Sequence, residues 1–147
     1  MSFWGYSGQA QRPLFLGEGP NELYRRLFDC AQEAYTRCAR VLRAGATSDD
    51  VLDAADVIHE RGFAVNDEFL HGFGIGLLPP GIATRQAQRG PPRPRFTFES
   101  GMCVVLQPNV VTRDERSGVQ LGNLLRITET GTECLHRLPL QYYVSGS

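Results

Sequence analysis

The segment that decides the fold reads FLHGFGIGLLPP and spans residues 69–80. Residues 69–77 are apolar and interrupted by glycines, which predicts a β-strand. The same strand carries His71, the one obvious proton-transfer group of the chain, because an imidazole exchanges protons near neutral pH. We therefore expect His71 to be the catalytic residue of any site that this strand lines, or else a structural histidine held by hydrogen bonds.

Two helices are predicted before this strand. Apolar residues recur every three or four positions between Pro20 and Leu42, which is typical of an amphipathic helix with proline at its start. Thr47 and Asp50 have the spacing of a helix cap, and the apolar pattern that follows ends before Gly62. The first half of the chain is therefore predicted to be helical.

The second half has strand character. Residues 102–111 and 118–128 are strand-length segments rich in Val, Leu and Ile, and a hairpin-like turn follows at residues 129–131. Helices followed by antiparallel strands predict an α+β fold.

Residues 83–95 interrupt this pattern with three prolines and four arginines. Proline excludes a continuous helix or a central strand here, so we expect a loop or an extended arm. This Arg/Pro-rich loop is either a solvated connector or a loop whose arginines bind an acidic ligand.

Length and charge limit the class of protein. A chain of 147 residues predicts one domain over residues 1–147, and fifteen basic residues, all arginine, against sixteen acidic ones give a net charge of -1. Such a balance favours neither nucleic acid nor an anionic membrane as a partner. Residues 1–8 do not resemble a signal peptide and no apolar segment approaches membrane-spanning length, so we expect a cytoplasmic protein.

Three motifs carry a family resemblance. They are HGFGIG (71–76) leading to Pro79-Pro80, ESGM (99–102) leading to Gln107-Pro108, and GVQ (118–120) leading to TETG (128–131). In these motifs, and in residues 5–18 and 135–139, the chain resembles the pita-bread fold family of methionine aminopeptidase, aminopeptidase P, prolidase and creatinase. The resemblance implies a pita-bread domain, apparently incomplete at its N-terminus.

The metal ligands of that family are mostly replaced. Family enzymes bind two divalent cations through two Asp, one His and two Glu, because carboxylates offset the charge of the cations. The resemblance aligns the second Asp with Gln9, the first Glu with Gln107 and the second Glu with Gly122, and it retains only His71. An amide offers a dipole where a carboxylate offers a charge, so we expect no metal and no other cofactor.

The replaced positions still suggest a binding site. We expect Gln9, Gln107 and Asn123 to line a neutral, polar, substrate-binding pocket, with Arg126 reaching either a ligand carboxylate or solvent. Alternatively, the amides hydrogen-bond one another and the backbone in a site without function. Glu68 precedes His71 closely enough to orient it or to act as a base, or it belongs to a solvated turn.

Three functions remain open. The first is a metal-independent pseudopeptidase domain that binds a small amide-, peptide- or amino-acid-like ligand. In one version of this hypothesis the domain also transforms the ligand. Whether such a domain is an enzyme stays undecided, although creatinase is a metal-free member of the family. The second is a non-catalytic protein-interaction domain, and the third is a metallo-aminopeptidase or prolidase. In each case we expect a homodimer or a complex with another chain.

Overall fold

Helix α1 (Glu22–Val41) begins at a capped residue, close to where the sequence predicts. The side chain of Asn21 accepts a hydrogen bond of 3.0 Å from the backbone N–H of Tyr24, and Glu22 places a negative charge in the first turn. The apolar side chains of α1 at helical spacing are buried, and they are Leu27, Phe28, Cys30, Ala31, Ala34 and Cys38. This apolar side of α1 forms the helical half of the core.

The second predicted helix is two helices, α2 (Ser48–Ala55) and α3 (Val57–Glu60). The predicted cap is confirmed, because the N–H of Thr47 donates to the Asp50 carboxylate at 2.7 Å and the N–H of Asp50 returns a bond to the Thr47 hydroxyl. The helix breaks at Asp56, whose N–H bonds to the carbonyl of Asp53, three residues back, as in a 3₁₀ turn.

The computed structural model describes residues 2–88 and 94–146, and within them the chain forms short strands. In chain order these are β1 (Ser2–Phe3), β2 (Tyr6–Ser7), β3 (Ala10–Gln11), β4 (Leu14–Leu16), β5 (Ala64–Val65), β6 (Leu70–Phe73), β7 (Leu77–Ile82), β8 (Cys103–Leu106), β9 (Asn109–Val111), β10 (Gly118–Gln120), β11 (Gly122–Ile127), β12 (Thr132–Cys134) and β13 (Tyr143–Ser145).

One sheet of six strands organises these elements. Its order is β12-β11-β8-β6-β7, and β3 pairs with β11 outside that path. Strands β9, β10 and β5 form a second sheet, and β13 pairs in parallel with β4. The large sheet is antiparallel and all of its strands except β3 follow the helices, which agrees with the predicted α+β class.

Three predicted strands are each divided in two. Residues 69–77 form β6 and the start of β7, joined by a turn in which Gly76 has a φ of +140°. Pro108 separates β8 from β9, because proline cannot donate to a ladder. Leu121 separates β10 from β11, and its N–H bonds to the Pro108 carbonyl at 3.3 Å.

The two faces of the large sheet differ in what covers them. Leu70, Val104, Leu106, Leu125 and Ile127 lie on the face that joins the helical core. On the opposite face, His71, Val105 and Leu124 lie side by side, because β6, β8 and β11 pair them in register. Of the candidate site residues, His71 therefore lies on the face opposite the helical core.

The predicted Arg/Pro-rich loop is only partly described, since residues 89–93 lie outside the described ranges. Residues 83–88 contain a turn in which the N–H groups of Ala87 and Gln88 bond to the Thr84 carbonyl. Within the described ranges, no helix has both the length and the hydropathy that a membrane span needs.

Candidate functional site

Two amides converge on Gln107 at the end of β8. The side chain of Gln9 donates to the Gln107 side-chain oxygen at 2.6 Å, and that of Gln11 donates to the same oxygen at 2.7 Å. The Gln107 amide nitrogen in turn donates to the backbone carbonyl of Glu68 at 3.3 Å. The structure thus brings Gln9 and Gln107 together, and these amides hydrogen-bond one another, as the alternative interpretation describes.

Gln11 is the residue that the sequence interpretation missed. It pairs with Gly122 across β3 and β11, so it lies on the same face of the sheet as Gln107. Its spacing of two from Gln9 is the signal that could have found it, since alternate residues of an extended chain share a face. The Gln11 side-chain oxygen is buried and has no hydrogen-bond partner in the structure.

Asn123 corrects the expected pocket. It pairs with Ala10 and Leu106 on the helical face of the sheet, where its amide nitrogen donates to the Tyr35 hydroxyl of α1 at 3.1 Å. Adjacent residues of a strand point to opposite faces, so Asn123 faces away from the side of Gly122. Asn123 and Gln107 therefore do not line a common pocket.

Arg12 holds the edge of the sheet next to Asn123. Its guanidinium donates to the Asn123 side-chain oxygen and to the carbonyls of Gln11, Gly122 and Leu138 at 2.7 Å, and to that of Pro139 at 2.6 Å. These five bonds use the full set of guanidinium donors. Burial lowers the pKa of Arg12 by desolvation, but not enough to neutralise an arginine.

Arg126 lies away from the amides. Its guanidinium binds the carboxylate of Glu133 on the neighbouring strand β12, at 2.9 Å and 2.5 Å, and both side chains are about half exposed. Arg126 is also absent from the described lining of the cavity beside β7, and its ion pair with Glu133 is exposed.

A cavity with a volume of about 800 Å³ lies at the edge strand β7. His71, which is 4% exposed, and Glu68 line it together with mainly apolar residues of β7 and with Phe96. Gln9, Gln11 and Gln107 do not contribute to its described lining. His71 and the amides therefore share a face of the sheet, because His71 pairs with Val105 and Gln107 lies two residues further along, but only His71 lines this cavity.

The imidazole of His71 has a defined orientation. Its Nδ1 lies 3.1 Å from the backbone carbonyl of Gly72, and a carbonyl can only accept a hydrogen bond. In the neutral ring Nδ1 therefore carries the proton, and Nε2 is the basic nitrogen. Such a ring can accept a proton or a hydrogen bond through Nε2.

The residues at the family's ligand positions do not fit a pair of divalent cations. Gln9 and Gln107 supply amides, and a Cβ at Gly122 would lie 2.5 Å from the Leu106 carbonyl and 2.7 Å from the Gln107 Cα. A glutamate at Gly122 would thus require the two strands to move apart. Within the described ranges, no three His, Cys, Asp or Glu side chains are arranged to hold a metal ion.

Two curated relatives match this chain over part of their own length. The chain is 25% identical over 131 residues to the Xaa-Pro dipeptidase of Pyrococcus furiosus, covering 88% of this chain and 36% of that protein. It is 28% identical over 138 residues to the agropine synthesis cyclase of Rhizobium rhizogenes, covering 91% and 33%. The chain therefore spans about a third of the length of these relatives.

Solved structures share the fold. The dipeptidase PepE of Mycobacterium ulcerans superposes with a TM-score of 0.80 at 20% identity, covering 98% of this chain and 37% of that one. The methionine aminopeptidase of Rickettsia prowazekii gives a TM-score of 0.72 at 21% identity, covering 88% and 58%. The predicted pita-bread fold is confirmed by these matches.

The family model described as Metallopeptidase family M24 matches residues 1–129, which is most of the chain. The motifs at His71 and Gln107 lie inside that match, as does GVQ, and the match ends within TETG. On this evidence the chain belongs to metallopeptidase family M24.

Proposed function

We propose that this chain is a metal-independent, Xaa-Pro-dipeptidase-like domain that binds a small amide-, peptide- or amino-acid-like molecule in the cavity beside His71. The observation that carries the proposal is the cavity itself. Its volume of about 800 Å³ lies within the range of small-molecule sites, roughly 300 to 1,000 Å³, and its lining is mostly apolar with a few polar groups.

The amides support the metal-independent part of this proposal. Gln107 accepts hydrogen bonds from both Gln9 and Gln11, so two positions that the resemblance aligns with metal-binding carboxylates carry neutral amides that bond to each other. One relative of this chain, from Rhizobium rhizogenes, is named as a cyclase and not as a peptidase. A domain of this kind binds its ligand through His71, Glu68 and apolar contacts, without a Lewis acid.

The test uses N-acetyl-L-prolinamide, a neutral peptide-like probe, added to the purified chain in EDTA. Binding to the folded state raises the melting temperature, by the equivalent of about 2.7 kcal/mol at a probe concentration of 100 Kd. We expect this rise in the wild type. No rise, or a rise that requires a divalent metal, would overturn the proposal.

A pair of variants locates the binding. Leu78 lines the cavity and is 44% exposed, whereas Leu135 is 46% exposed and lies outside the cavity's lining. We expect Leu78→Trp to fill the cavity and abolish the rise, and Leu135→Trp to retain it. Equal responses of the two variants would show that the probe binds elsewhere.

A second candidate, a protein-interaction domain, is favoured by an exposed apolar surface. Trp4 is 85% exposed, and Ile75 and Leu77 are similarly exposed. The backbone N–H of Ser7 donates to the Gly74 carbonyl at 2.7 Å, so the β1–β2 hairpin lies against the turn that carries Ile75. Light scattering tests this candidate: we expect Ile75→Asp to dissociate a wild-type dimer, and a monomeric wild type would count against it.

A further inference from the structure

A glycine makes room for a carboxylate beside His71. Gly81 is the direct cross-strand partner of His71 in the β6–β7 hairpin. A Cβ built on Gly81 would collide with both carboxylate oxygens of Glu68. The Glu68 carboxylate therefore occupies the space that any other residue at position 81 would fill with its side chain.

This arrangement places the carboxylate close to the imidazole. Directly paired residues of antiparallel strands project their Cβ atoms to the same face, about 4.5 to 5.5 Å apart. The Glu68 carboxylate carbon lies 2.5 Å from the Cβ position of Gly81, so the carboxylate lies on the His71 side of the hairpin, near the imidazole. Both residues line the cavity of about 800 Å³.

The backbone of Glu68 is also fixed. Its carbonyl accepts hydrogen bonds from the amide nitrogens of Gln107 at 3.3 Å and Asn109 at 3.4 Å. The amide cluster of Gln9, Gln11 and Gln107 thus anchors the residue that carries the carboxylate. This contact gives the amides a structural role in shaping the cavity wall.

Both groups of this pair accept hydrogen bonds. The neutral His71 ring uses its Nδ1 proton on the Gly72 carbonyl, which leaves Nε2 as an acceptor. A carboxylate has about four lone-pair positions, so Glu68 can accept from a ligand in addition to its contacts within the protein. Two adjacent acceptors are complementary to a ligand group with two donors.

We infer that Glu68 and His71 together bind the –NH₂ end of the ligand and that Gly81 is the residue that positions Glu68 for this purpose. The inference rests on the proposed function and narrows its ligand class to molecules with a primary amide or amine. The apolar wall of β7, with Leu78, Pro79 and Ile82, holds the carbon body of such a molecule.

Two matched probes test the inference by calorimetry. N-acetyl-L-prolinamide carries two N–H donors, and N-acetyl-L-proline N,N-dimethylamide carries none. We expect the wild type to bind the primary amide at least about tenfold more tightly, because a hydrogen bond to a charged acceptor is among the stronger ones. Equal affinity for the two probes would overturn the inference and leave the proposed function intact, whereas binding of neither would refute the proposed function.

Protein variants test the role of Gly81. Glu68→Gln and Gly81→Ala should each reduce the preference for the primary amide severalfold, the second by displacing the carboxylate. Gly81→Ala should still fold, since the Cβ meets the end of a flexible side chain. Gly74→Ala is the control, because its Cβ would meet only Leu78 Cδ1 at 3.7 Å. An unchanged preference in Gly81→Ala would refute the positioning role.

Discussion

Removing the guanidinium of Arg12 should destabilise the fold more than any exposed arginine could. Arg12→Met retains an unbranched apolar stem and deletes all five hydrogen bonds. Two of these bonds, to Leu138 and Pro139, are exposed, so water can replace them at little cost.

The other three bonds account for most of the stability that Arg12→Met should lose. They reach the carbonyls of Gln11 and Gly122 and the side-chain oxygen of Asn123, which is buried. An acceptor that loses its partner in such a place costs about 1 to 3 kcal/mol, and partial entry of water reduces the sum, so we expect a total of about 3 kcal/mol. For a chain of this size that loss lowers the melting temperature by roughly 6 to 12 °C.

Urea denaturation and calorimetry of Arg12→Met and Arg126→Met provide the assay. Arg126 forms only an exposed ion pair with Glu133, and such pairs contribute at most about 1 kcal/mol. Arg12→Lys should lose more stability than Arg126→Met and less than Arg12→Met, because an ammonium has three donors and no planar fork. If Arg12→Met and Arg126→Met lose the same free energy of unfolding, the reasoning about the buried acceptors is wrong.

Three further predictions concern separate parts of the chain. Gln107→Glu should not produce tight zinc or manganese binding by calorimetry, because the strand beside Gly122 leaves no room for a second carboxylate at that position. A submicromolar Kd would contradict this prediction. Burial raises the pKa of Cys38 to about 12, so iodoacetamide should modify the exposed Cys134 in the folded protein and Cys38 only after unfolding; mass spectrometry decides between them. Hydrogen bonds from Thr47 lower the pKa of Asp50, so the ionised carboxylate stabilises the folded state fully above the unfolded pKa of about 4, and this stabilisation is lost as the pH falls below that value. Asp50→Asn should therefore make the free energy of unfolding depend less on pH at acid pH. An unaltered pH dependence would disprove this role.

The sequence predicted the features that depend on local pattern. The apolar repeat of α1 and the Thr47–Asp50 cap follow from contacts between residues a few positions apart, and both are confirmed. The ordered motifs around His71 and Gln107 identified the pita-bread fold, because glycines and prolines at fixed spacing are retained where the metal ligands are not.

Features that depend on distant contacts were not predictable in this way. The face occupied by Asn123 depends on the pairing of β3 with β11, which joins the two ends of the chain. The cavity depends on how α2 and Phe96 lie against β7, and the space for Glu68 depends on the register that places Gly81 opposite His71. That register includes a shift between His71 and Gly72, and a regular alternation of residues along two strands does not predict such an irregularity.

The parallel pairing of β4 with β13 has a consequence for the order of folding. Leu14 pairs with Tyr143, so this ladder joins residues near opposite ends of the chain. During synthesis β4 leaves the ribosome well before residues 143–145 and cannot find its partner until they emerge. Closing so long a loop is entropically costly, so β4 and the strand edge beside it should be the last parts of the fold to become protected from solvent exchange.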